Sequence, residues 1–168
     1  FVISQLFTSF QLLSFAETPS SGTIFLNQQK VKNTSERSIN IRNKLDTDCY
    51  CCFYVEQYNI ITIYIRAHDK ATINLAAQNT KLLIASGIEW IDEFSFFGST
   101  TEYYQYYNNG TDIKGSVIIK NENITSISVE EFKTVLDTYS NSDNHPYPTS
   151  DNTTVSSPVK QSKTSTDT

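Results

Sequence analysis

"DCYCCFYVEQYNIITIYIRA" (48–67) decides the fold class. Over 59–67, Ile61, Ile63 and Ile65 alternate with Ile60, Thr62 and Tyr64, and nearly every residue is β-branched or aromatic. Such side chains pack well on a pleated surface, and alternation of period two predicts a strand. The segment 48–55 holds all three cysteines of the chain, Cys49, Cys51 and Cys52. If it is extended, Cys49 and Cys51 face one side and Cys52 the other, so the sulfurs cannot converge on one ion without a bulge. Zinc ribbons and fingers also bring their ligands in two separated pairs, and no second pair exists. No metal site and no cofactor is expected. Three fates stay open for the thiols: burial as small apolar side chains, a strained local bridge, or a disulfide to a second chain, because an odd count leaves one sulfur without a mate.

Outward from this centre the chain is a procession of short apolar stretches between polar breaks. "GTIFLNQ" (22–28) and "RSINIRN" (37–43) precede it; "ATINLAA" (71–77), "TKLLIASG" (80–87), "EFSFFGS" (93–99), "TEYYQYYNNG" (101–110) and "KGSVIIKN" (114–121) follow. That spacing predicts an all-β fold, an antiparallel jelly-roll or β-sandwich over residues 20–121. Asn109-Gly110 reads as a tight hairpin turn, which makes 114–121 the return strand of 101–110. Past residue 121 the period changes. "SVEEFKTVLDTY" (128–139) places Val129, Phe132, Val135, Leu136 and Tyr139 on one helical face, with Ser128 and Glu131 in the positions of a capping box. One short helix is expected within 122–139. Residues 140–168 contain no Leu, Ile or Phe and are close to half Ser and Thr. They read as a disordered stalk, since such a segment cannot offset the entropy of ordering.

The chain has 168 residues, enough for one domain with a substantial core, and a net charge of −5 with no run of Lys or Arg. Nucleic acid is therefore not an expected partner. Residues 1–16 read as a truncated secretory signal ending in small residues at Ser14 and Ala16, or else as an apolar strand or helix of the domain itself. They fall short of the roughly 20 residues a bilayer span needs. Sequons at Asn33, Asn109, Asn123 and Asn152 each fall in an expected turn, loop or tail, which fits a secreted, extracellular glycoprotein.

No nucleophile-elbow, phosphate-loop or zinc-hydrolase motif occurs, and the two histidines are His68, in an expected turn, and His145, in the tail. The chain reads as non-catalytic. Its binding signal is the tyrosine run Tyr103, Tyr104, Tyr106 and Tyr107, of which one pair is expected to face the core and the other solvent. The same run could equally form a cross-strand aromatic ladder with no partner.

The run Cys52-Phe53-Tyr54-Val55, a short turn, and Ile61 to Ile65 resemble the CUB-domain pattern of a cysteine, an apolar strand, a turn and a second alternating strand. Residues 82–87, Leu-Leu-Ile-Ala-Ser-Gly, and 114–118, Lys-Gly-Ser-Val-Ile, are similar to two later strands of that family. The resemblance spans about 20–121 and implies a jelly-roll sandwich used for contact with an extracellular protein or carbohydrate. The family's paired cysteines have no counterpart here. Where its calcium-holding acid would stand, this chain has Asn79, Thr80 and Lys81. The favoured expectation is a secreted recognition or adhesion module. The alternatives are a cysteine-cross-linked matrix or coat component, a disulfide-linked dimer among its forms, and a small secreted hydrolase.

Overall fold

The computed structural model describes residues 17–29, 36–76, 79–109 and 112–140. Within them run β1 (Ile24–Asn27), β2 (Arg37–Asn43), β3 (Asp48–Val55), β4 (Tyr58–Ile65), β5 (Lys70–Leu75), β6 (Lys81–Gly87), β7 (Glu102–Tyr106), β8 (Ser116–Ile119), β9 (Ile124–Ser126) and α1 (Val129–Ser140). Six strands make a large sheet in the order β1-β4-β3-β6-β7-β9, with every pairing antiparallel. Three make a small sheet in the order β5-β2-β8.

The large sheet carries a core on each face. On one, Cys49, Cys51 and Phe53 of β3 and Ile61, Ile63 and Ile65 of β4 pack in a single cluster with Ile39, Ile41, Ile73, Leu75, Val117 and Ile119 of the small sheet. On the other, Tyr50, Cys52 and Tyr64 join Trp90, Phe96 and Phe97 from the β6–β7 connection and Phe132 and Val135 from α1. Burial on both faces explains why β3, β4 and β6 read as nearly continuous apolar runs. In the small sheet the alternation is clean: Ile39 and Ile41 are buried while Ser38, Asn40 and Arg42 are exposed. Asn43, fully buried, ends β2 on a satisfied amide. Its Nδ2 donates to the carbonyls of Thr47 (2.8 Å) and Arg66 (3.1 Å), and its Oδ1 accepts from the Leu45 N–H (3.0 Å), tying the β2–β3 turn to the end of β4.

The expected elements are found with four differences. Residues 93–99 do not form a strand: Asp92 and Phe96 bridge across a turn, and Gly98–Thr100 is one turn of 3-10 helix. An extended chain would send Phe96 and Phe97 to opposite faces, whereas both are buried in the same cluster, and Phe96 takes a positive φ of 53° to allow it. The expected hairpin across Asn109 is absent. Asn109 does adopt a positive φ of 56°, but β8 crosses to the small sheet, beside β2, and β7 pairs with β9 instead. The β8 pattern, with Val117 and Ile119 in and Ser116 and Ile118 out, suits a sheet with one wet face. β2 and β8 run parallel, so the two-sheet assembly is not purely antiparallel. The large sheet also takes in Ile124–Ser126, inside the segment expected to be helix and linker.

The helix starts as expected, with the Glu131 N–H donating to Ser128 Oγ at 3.1 Å, and it seats Phe132 on the large sheet. The signal reading of 1–16, the stalk reading of 140–168 beyond Ser140, and the sequons at Asn33 and Asn152 lie outside the described residues. Among the described residues no helix is long and apolar enough to cross a membrane.

Candidate functional site

All three cysteines are free and buried. Cys49 and Cys51 lie in the inter-sheet core and Cys52 in the aromatic one, the division that strand geometry predicts. Burial pushes the Cys49 and Cys52 thiols up to about 12, and Cys51 well above its ordinary value. Such thiols are protonated and out of reach. No sulfur is at the surface to meet a second chain, which removes the geometric support for a disulfide-linked dimer.

The tyrosine run does not split into a buried and an exposed pair. Tyr103 packs at a tilt of 49° against Phe132, with ring centroids 4.9 Å apart, beneath α1. Tyr104 and Tyr106 turn to the opposite face and pack against the inter-sheet core. The Tyr104 hydroxyl donates to Glu102 Oε2 at 2.6 Å, and burial with that carboxylate raises it to about 12. Tyr107, past the end of β7, is the exposed member, at 64%. The difference follows from β7 being an interior strand, between β6 and β9, with a packed layer on each face.

Tyr106 and Tyr107 nevertheless line a cleft of about 370 Å³ beside the start of β6. Lys81, Gln105, Asp112 and Thr125 share its wall. Asp112 is fixed: its Oδ1 accepts from Arg37 Nη2 at 3.0 Å and from the Thr80 N–H at 2.8 Å, which pins the connection leading to β8 onto both sheets. Amide, hydroxyl, carboxylate and aromatic groups around a small cleft are the chemistry of polyol recognition.

A second surface lies in the β6–β7 connection, residues 88–101. Ile88 is 78%, Ile91 45% and Phe94 81% exposed, three large apolar side chains within seven residues. They stand on a rigid base. Trp90, Phe96 and Phe97 are buried below them; the Ile91 N–H donates to the Phe96 carbonyl (2.7 Å) and the Phe96 N–H to the Asp92 carbonyl (2.8 Å). Asp92 Oδ1 collects the N–H groups of Ser95 (2.6 Å) and Phe94 (2.9 Å), and these bonds hold its carboxyl below the usual range. Within it, 93–99 has the composition of a strand. Asp92 two and three residues before Phe94 and Ser95 is the turn signal that could have exposed it.

His68 sits in a turn with a positive φ of 58°, its Nε2 2.8 Å from Asp46 Oδ1. Both side chains are open to solvent, and among the described residues no hydroxyl or thiol hydrogen-bonds the imidazole. Of the sequons, Asn109 is exposed, whereas Asn123 donates its amide to the Ile118 carbonyl at 2.9 Å. No family model matches the chain, and no curated protein or solved structure matches it.

Proposed function

We propose that this chain is a secreted, N-glycosylated recognition module, a divergent CUB-like jelly-roll sandwich carried on a Ser/Thr-rich stalk, which contacts an extracellular protein and performs no catalysis. The observation that carries the reading is the rigid display of Ile88, Ile91 and Phe94. Three large apolar side chains exposed within seven residues of one hydrogen-bonded loop exceed the singly scattered apolar groups of an ordinary surface, and a preorganised loop loses little entropy on docking. Glu89, Asp92 and Glu93, exposed among the three, match a partner whose apolar pocket is rimmed by cations. Glycosylated protein screened against a panel of extracellular domains should find binders whose affinity falls at least tenfold with Ile88→Ser/Phe94→Ser. Silence across the panel, or binding indifferent to that double substitution, would count against it.

The Tyr107 cleft supports a second reading, carbohydrate contact, which a glycan array compared between the native chain and Tyr107→Ala tests directly. The matrix or coat alternative loses its chemical link with the burial of every thiol. A hydrolase would have to pair His68 with a carboxylate; Asp46 lies 2.8 Å from its Nε2 and Asp69 shares its hollow, all three at an open surface.

A further inference from the structure

The outer face of the small sheet carries a charge arrangement that the fold itself does not use. Across the strands Arg42 of β2 stands directly opposite Lys70 of β5, and Asn40 opposite Thr72. On its other side β2 meets β8, with Arg42 opposite Ile118 and Asn40 opposite Ser116. Lys44, two residues beyond Arg42, extends the same row. These residues, all exposed, line a groove of about 300 Å³ without a single carboxylate. Among the described residues Arg42, Lys44 and Lys70 form no ion pair and no side-chain hydrogen bond. The hollow continues toward His68 and Asp69; the exposed Asp69 carboxylate, which accepts from the Lys70 N–H at 2.8 Å, sets one negative charge against the three cations.

Like charges directly opposed on a sheet are destabilising, and cations clustered in a chain of net charge −5 run against its overall balance. A ligand that supplies the missing negative charge accounts for both. Beside the aliphatic Ile41, Ala71, Val117 and Ile118 the groove presents the Asn40 amide and the Thr72 and Ser116 hydroxyls, Thr72 Oγ1 donating to Asn40 Oδ1 at 2.9 Å, and its lining contains no aromatic ring on which a base could stack, which favours a sugar chain over a nucleic acid. We infer that the outer face of the small sheet, through Arg42, Lys44 and Lys70, binds the sulfate groups of a sulfated polysaccharide. Guanidinium and ammonium groups donate charge-assisted hydrogen bonds to such oxyanions, while Asn40, Thr72 and Ser116 offer partners to sugar hydroxyls. This face is separated from the 88–101 loop by both sheets, so the two surfaces can be tested apart.

The test is retention of the full chain on immobilised heparin across a salt gradient, with calorimetry on the free polysaccharide. The native chain should be retained, and Arg42→Ser/Lys70→Ser should bind roughly 100-fold more weakly, about tenfold for each charge-assisted contact removed. Lys133→Ser, on the exposed face of α1, should elute with the native chain. Lys70→Glu replaces the like-charge pair by an opposite one, so it should raise the melting temperature while abolishing retention, which separates loss of ligand from loss of fold. Equal elution of the native and doubly substituted chains would overturn the inference. So would equal affinity for a polyuronate lacking sulfate or for single-stranded DNA.

Discussion

The large sheet separates two cores of opposite chemistry. Between the sheets the packing is aliphatic and built almost wholly from strands, with Ile, Val, Leu and two cysteines meeting face to face. On the far side it is aromatic: Trp90 lies within 5.5 Å, centroid to centroid, of Phe25, Tyr50, Tyr64 and Phe97, and half the layer comes from a loop and a helix. Branched aliphatic side chains fit the pleat and need only the right register. Flat rings need specific angles, and a loop supplies them more readily than a strand because its backbone is free of the ladder. The first core holds the sheets together; the second positions a loop whose tip is available for contact.

The contrast can be broken most severely with alkali. Unfolded thiols ionise at 9.0, whereas folded Cys49 and Cys52 do so only at about 12. The unfolded state therefore releases its protons first: stability is intact below pH 9 and drains away as pH rises toward 12, with each unit of difference worth about 1.4 kcal/mol per thiol. Denaturant midpoints should fall steeply above pH 9, and Cys49→Ala/Cys52→Ala should lessen that fall, the remainder coming from Cys51 and the raised tyrosines. A midpoint constant to pH 11 in the native chain would contradict the burial.

Phe53→Ala, fully buried in the core between the sheets, should cost about 3–5 kcal/mol and lower the whole unfolding transition as one event. In the aromatic layer the comparable probe is Gly87→Ala. An added Cβ there would lie 2.3 Å from Phe97 Cβ, so Phe97 must move, at about 1–3 kcal/mol. Near-ultraviolet circular dichroism should weaken while the strand signal persists; a fully native spectrum would mean that the aromatic layer is not so tightly set. Ser128→Ala removes the cap of α1 and should cost about 1 kcal/mol, read as a lower thermal midpoint. The smallest stability effect belongs to Phe94→Ser, within about 0.5 kcal/mol of native, since its ring packs against little. Its consequence should appear in binding alone.

The two cores also differ in how far a sequence betrays them. Ile61, Ile63 and Ile65 announce a strand because period two is imposed by the backbone, and the same rule divided Cys49 and Cys51 from Cys52. The helix was equally plain from its spacing and from Ser128. By contrast 93–99 has strand composition yet is a turn, because Asp92 offers its carboxylate to two successive N–H groups and Phe96 accepts a positive φ. The tyrosine run hides its orientation for a related reason: whether Tyr103 or Tyr104 faces solvent depends on what covers each face of β7, and α1, from a later part of the chain, covers one of them.

Local pattern thus determined the β class, the positions of β1 to β8, the helix start and the split of the cysteines, all consequences of backbone periodicity and side-chain shape within a few residues. Tertiary structure alone decided that β8 leaves its expected hairpin for the small sheet, that every thiol is buried, and which apolar and cationic groups remain at the surface. Those outcomes depend on which distant segments cover a face, and burial is a property of the assembled layers rather than of any one stretch.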